Sequence, residues 1–250
     1  MAEPPNSRDN AVILHHPDAV DINRDMLMGR HAAGAGFLRG FVDHARVDQY
    51  FCQVLESEHA EDFARRIAAL GGTGRPCSVV TPDGMPKLPE SARTLYTPDP
   101  AIGTHAWRRR GVGARAYRIC GVNHTISSDT AMDGIAGLLT GPVQPWDAVI
   151  CTSRAAKAAM IRLLENHADY LSQRGGGRFR VQLKMPVIPL GVDCSQYLEG
   201  DAAEAVRNGV RRGLGIGADD FVALYLGRLS FHAKAHPMAM YTALEEAAQR

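Results

Sequence analysis

The chain has 250 residues, of which 45% are hydrophobic, with 28 basic and 27 acidic side chains and a formal net charge of +1. That apolar content is enough for one large domain or two smaller ones. The balanced charge excludes a global basic field, so no nucleic-acid partner is expected.

The five cysteines, Cys52, Cys77, Cys120, Cys151 and Cys194, are odd in number and show no CxxC spacing. Most sit in or beside apolar runs, where free cysteine acts as a small hydrophobe, so no disulfide frame is expected. Residues 1–10 hold no apolar signal core, and no apolar run reaches membrane-span length. The expected setting is cytoplasmic, with a peripheral membrane contact left open.

Short β-rich runs alternate with stretches of helical period. This pattern predicts an α/β fold, a Rossmann-like parallel sheet with helices on both faces. Residues 11–14 read as the first strand and 32–45 as a helix, with Phe37, Leu38, Phe41 and Val42 at helical spacing. A strand over 50–55 and a helix over 57–70 follow, the helix ended by Gly71 and Gly72. Strands are expected at 77–81 and 117–122, a helix near 128–140, and a strand over 146–151. Thr152 or Ser153 then caps a helix running to about 172. Residues 184–189 read as a short edge strand, because Pro186 and Pro189 would disrupt a central ladder. A helix over 202–213 and an apolar strand over 221–226 complete the pattern. The expected domains are 1–190, a linker over 191–220, and the beginning of a second domain over 221–250.

One segment stands out for chemistry. The apolar run at 221–226 meets Gly227 and Arg228, then Lys234, before Pro237 opens a helix. Glycine admits close backbone approach, arginine and lysine suit phosphate oxygens, and a helix N-terminus favours an anion. The plain alternative is a strand ending in a solvated loop with two ordinary cations. A second segment, Gly29 to Gly40, includes Gly34 and Gly36 and stands where an open α/β sheet binds ligands. It lacks a clean GxGxxG and a following acidic residue, so a dinucleotide reading is weak and close helix packing also accounts for it. His124 follows the 117–122 strand and is placed either to meet a ligand or to bond a backbone carbonyl.

Several motifs lead nowhere on sequence alone. His232 and His236 straddle a proline-bounded loop, so no metal site is expected. The pair His15 and His16 has no partner pattern, and Ser153 lacks a G-x-S-x-G context. Residues 107–110, Trp-Arg-Arg-Arg, have the composition of a nucleic-acid or anionic-lipid patch, but the run is short and reads more simply as a solvated helix end.

Four segments in order resemble group 1 (family 4) glycosyltransferases. Residues 146–157 resemble that family's strand–serine–helix segment, and residues 187–193 its IPxGVD segment. Gly227 and Arg228 with Lys234 resemble its GR…K donor-phosphate motif, and Gly34, Gly36 and His124 its N-terminal-domain loops. The resemblance implies a GT-B architecture of two Rossmann-like domains across a cleft. It implies a nucleotide-sugar donor and a saccharide, lipid or protein acceptor, with anomer-retaining, metal-independent transfer and no cofactor. Arg228 and Lys234 would hold the donor diphosphate, His124 would act in the cleft, and Gly34 and Gly36 would line an acceptor loop. The family's acidic E-x7-E motif has no counterpart before Arg250. The chain alone is therefore expected to be weakly active or inactive, and to self-associate through an incomplete second domain. The alternatives are a non-catalytic binding module derived from an acceptor domain, and a nicotinamide-dependent oxidoreductase.

Overall fold

A computed structural model of the chain describes residues 10–23, 27–194, 197–227 and 236–249. The chain divides into two compact units, Met1–Val192 and Asp193–Arg250.

In the first unit the strands are β1 (Val12–Leu14), β2 (Tyr50–Gln53), β3 (Cys77–Val79), β4 (Thr94–Tyr96), β5 (Arg118–Asn123) and β6 (Ala148–Cys151). The helices are α1 (Gly29–His44), α2 (Ser57–Ala69), α3 (Gly103–Arg110), α4 (Asp129–Ala136) and α5 (Arg154–Gly175). The strands form one sheet in the order β3-β2-β1-β4-β5-β6. Every pairing is parallel, with Ile13 opposite both Cys52 and Tyr96, and Tyr96 opposite Cys120. Parallel neighbours need crossovers, and helices supply them. The order turns back between β1 and β4, so crossovers leave these strands in opposite directions. The unit is a Rossmann-like α/β fold.

Strand alternation sorts the core into two layers. Ile13, Tyr50, Cys52, Tyr96 and Val122 face Leu38 and Val42 of α1 and Phe63 and Ile67 of α2. Val12, Leu95, Ile119 and Val149 face the other way, toward Ala106 of α3, Ile135 of α4 and Met160 and Leu164 of α5. Phe63 and Ile67, one helical turn apart, are essentially fully buried. Burying such a side chain stabilises the fold by roughly 1.5–3 kcal/mol.

Several boundaries follow from local chemistry. Ser153 caps α5 through a 3.0 Å bond from the Ala156 amide to its hydroxyl. Gly176 ends that helix in the left-handed region at φ 66°, which glycine adopts without steric cost. The expected edge strand at 184–189 lies beside β6 but makes only two isolated bridges, Ala148 to Lys184 and Cys151 to Val187. Lys184 and Ile188 donate to the carbonyls of Asp147 and Cys151. Pro186, midway between those two donors, has no N–H to give, and the ladder splits there.

Two features were not anticipated from sequence. The strand β4 was unread, although it is central to the sheet, and of α3 only the end at 107–110 was read. Arg109, expected on a solvated helix end, is fully buried. Its guanidinium grips Asp147 with two nitrogens, at 2.5 and 2.7 Å, and also donates to the Tyr117 carbonyl at 3.0 Å. Gly34 and Gly36, expected in a substrate loop, lie inside α1. A Cβ on Gly34 would stand 2.2 Å from the Ala19 carbonyl oxygen, whereas one on Gly36 meets nothing within 4 Å.

The second unit contains α6 (Gly200–Gly213) and α7 (Pro237–Ala248). Pro237 opens α7 at its first position, and the ring of His236 accepts from the Met238 amide at 3.3 Å. The strand expected over 221–226 is not formed: that segment pairs with no strand among the described residues. A strand needs a neighbour for its backbone donors and acceptors, and the described part of this unit supplies none. Phe221 and Leu226 are each 91% exposed.

Gly34→Ala should destabilise the protein by about 1–3 kcal/mol through forced overlap with backbone. Gly36→Ala should instead stabilise it by about 0.5–1 kcal/mol, the ordinary gain for a helix interior. Urea unfolding of the two variants should move in opposite directions. Arg109→Met should cost about 3–5 kcal/mol by leaving the Asp147 charge buried and unpaired, and adding Asp147→Leu should recover part of that loss.

Candidate functional site

In an open α/β sheet the ligand crevice lies outside the carboxyl ends of the strands, where the strand order turns back. Here that place is the end of β1 and β4. β1 runs into His15, His16 and a turn of 3-10 helix at Pro17–Ala19, and β4 runs into Thr97, Pro98 and Asp99. Between them lies a hollow of about 20 Å³, lined by His15, Ala19, Gly34, Phe37, Tyr96 and Pro98. That holds about one water, so this is the floor of a crevice and not a ligand chamber. Tyr96 stacks on Phe37 with ring centres 3.8 Å apart, and burial raises its hydroxyl pKa above the ordinary value.

On the β1 side, His15 is buried and its Nε2 lies 2.8 Å from the Asp62 carboxylate. Asp62 also accepts from Arg66 at 2.7 Å and from Arg65 at 3.2 Å. Burial lowers the His15 pKa, and the hydrogen bond and charge of Asp62 only partly offset this. Burial acts to raise the Asp62 pKa, but the bonds from Arg66 and His15 outweigh it and the net shift is downward. His16 packs edge-on against His59 at 4.7 Å. The sequence showed no partners for His15 and His16 because these partners lie more than forty residues away. Among the described residues, no group of three or more histidine, cysteine or acidic side chains could hold a metal ion.

On the β4–β5 side, His124 stands just past the end of β5. Its Nδ1 is buried without a hydrogen-bond partner. An unpaired acceptor is tolerated better than an unpaired N–H, which favours the tautomer with its proton on Nε2. That nitrogen is then a neutral donor for a ligand oxygen. Burial lowers the His124 pKa, and the nearby Asp99 charge opposes it. Asp99 is itself held in place: its side chain accepts from the Ala101 amide at 2.8 Å, and its carbonyl accepts from Thr97 at 3.0 Å and Val122 at 3.2 Å. Asp99 exerts the same pull on His105, which burial also keeps low. Thr152 ties the ends of β5 and β6 together through the Asn123 carbonyl, and Ser153 is committed to capping α5.

The residues expected to act thus fall in different places. His124 lies at the carboxyl edge. Gly34 packs under the crevice floor and Gly36 faces solvent on α1. Gly227 is described in the second unit, while Arg228, Lys234 and His232 lie outside the described residues. None of the five cysteines is in a disulfide, and burial raises the thiol pKa of Cys52 to about 12, which leaves it inert. No helix among the described residues is long and apolar enough to cross a membrane. No family model, no curated protein and no solved structure matches this chain.

The histidines make stability fall in mild acid. His15, His105 and His124 all have pKa values lowered from 6.5, with burial the largest cause each time. The unfolded chain therefore binds protons at these sites before the folded chain does. Their contribution is complete above pH 6.5 and is lost as pH falls below it toward the folded-state values. Asp62, lowered from 3.8, adds a further loss at lower pH. Urea midpoints should drop as pH falls from about 7.5 to about 5, and His124→Gln should shrink that drop. A flat midpoint across this range would contradict the assignment.

Proposed function

We propose that this chain is a glycosyltransferase of the two-domain cleft type. The first unit presents the acceptor, and the second unit contributes to holding a nucleotide-sugar donor. The observation that carries the reading is His124 at the carboxyl edge, just past β5 and one strand over from the β1–β4 turn-back, with its buried ring nitrogen Nδ1 unpartnered. The segment order supports it: β6, the Ser153 cap and α5 form the strand–serine–helix unit that the resemblance calls for.

The chemistry fits these residues. In glycosyl transfer a diphosphate leaves and gains negative charge. Arg228 and Lys234 would stabilise that charge by preorganised donors, and His124 would donate a neutral hydrogen bond to a sugar or acceptor oxygen. Anomer-retaining, metal-independent transfer is part of the same proposal. The acceptor is a saccharide, lipid or protein.

The nicotinamide reading is weaker on physical grounds. A dinucleotide fold places a glycine turn directly after β1 and an acid at the end of β2. Here histidines and Pro17 follow β1, and β2 ends in Gln53. Gly34, the one glycine pressed on that turn, is already filled by the Ala19 carbonyl.

Titration calorimetry of the chain with UDP and GDP should show binding of at least one of them. Arg228→Ala should weaken it by about tenfold or more, the loss of one charge-assisted contact. NAD and NADP should give no thermal stabilisation. Stabilisation by a nicotinamide cofactor, with no binding of either nucleoside diphosphate, would overturn the reading.

A further inference from the structure

The amino-terminal edge of the sheet, opposite the crevice, carries a second feature. Helix α3 runs back to this edge and ends at Arg110, and β5 departs from it at Arg118. From Trp107 through Arg118 the sequence holds five arginines and no acidic residue. Arg109 turns inward and is neutralised by Asp147. Arg118 pairs with Glu90 at 3.1 Å. Arg108, Arg110 and Arg115 remain exposed and form no ion pair among the described residues.

The run is not isolated, as it looks in sequence. Arg115 lies 5.3 Å over the ring of Trp146, which immediately precedes Asp147. Arg110 lies 5.4 Å over the ring of Trp107, which is 52% exposed. The Arg109–Asp147 pair thus joins the end of α3 to the Trp146 segment from beneath, and gathers the chain's two tryptophans and three free arginines on one edge.

We propose that this edge is a docking surface for an anionic lipid membrane. Tryptophan favours the headgroup level of a bilayer, where one part of the ring is apolar and the other wet. Each free arginine adds attraction to an anionic surface, and its guanidinium fork matches a lipid phosphate. The stacking geometry decides between lipid and nucleic acid. Single-stranded nucleic acid binds by stacking bases on open aromatic faces. Here Arg110 and Arg115 already cover a face of each ring, while the guanidinium edges stay available to phosphate. Docking on this edge leaves the carboxyl-edge crevice open to solvent. The proposal stands independently of the glycosyltransferase reading.

The test is co-sedimentation of the full chain with vesicles of phosphatidylcholine alone, and with vesicles of equal parts phosphatidylcholine and phosphatidylglycerol. Binding is expected to the anionic vesicles, to fade at high salt, and to be absent with phosphatidylcholine alone. The exposed triple variant Arg108→Gln/Arg110→Gln/Arg115→Gln should lose binding by on the order of a hundredfold. Trp107→Ala should weaken it, and Arg162→Gln on the exposed face of α5 should not. Far-UV circular dichroism of the triple variant should match the parent. Equal binding to both vesicle types, unchanged binding by the triple variant, or no binding to anionic vesicles at low salt would overturn the proposal. So would tighter binding to a single-stranded oligonucleotide than to the anionic vesicles.

Discussion

The carboxylate of Asp147 is the point on which the first unit closes. Both its oxygens accept from Arg109, and they also accept from the amides of Ile119 and Gln144 at 3.0 and 2.8 Å. Its own carbonyl accepts from Lys184. One residue therefore binds the last turn of α3, the start of β5, the approach to β6 and the segment beyond α5. A buried ion pair is costly unless its remaining lone pairs and protons are satisfied. Here the carboxylate is satisfied almost completely, and only Arg109 Nε goes without a partner. The net gain in stability is small by the usual balance of desolvation and attraction. What the pair supplies is registry, because the bonds to Asp147 tie three separate segments to one carboxylate.

The opposite edge holds the loop from β4 into α3. Asp99 sits in that loop, and His124 lies one strand over. The two edges differ in how well their polar atoms are paired. Gln53 Oε1, His59 Nδ1 and His124 Nδ1, all buried and unpartnered, belong to the end of β2, the first turn of α2 and the end of β5. All three lie at the carboxyl edge. Buried polar atoms normally find partners, and those without one in the protein mark strain, function or the place of an ordered water. The amino edge is built for order, and the carboxyl edge keeps unmet bonding capacity.

Much of the fold could be read from periodicity, and its failures are instructive. The alternation of β-rich runs and helical stretches implied parallel pairing, and the strands at 50–53, 118–123 and 148–151 fall within or one residue from the expected runs. β4 went unread because it is three residues long and holds one strongly apolar side chain, Leu95. Its burial comes from neighbours on both sides, which no local pattern records. The 221–226 run failed in the reverse way. It has the composition of a buried strand, yet composition reports what a segment can bury and not whether a neighbour stands beside it.

The site was legible where position decides and illegible where distance does. His124 could be placed because a residue just past a parallel strand must lie at the carboxyl edge. His15 and Asp62 are 47 residues apart, and only the β1–β2 pairing brings the start of α2 over the end of β1. Arg109 was misplaced for the same reason, since three consecutive arginines look alike until one finds a carboxylate 38 residues on. Gly34 and Gly36 make the point most sharply. They are two residues apart, on one helix and of one kind, yet a backbone carbonyl presses on the first and open space surrounds the second. A glycine's spacing shows where a side chain is missing. Only the tertiary neighbour shows whether its absence is required.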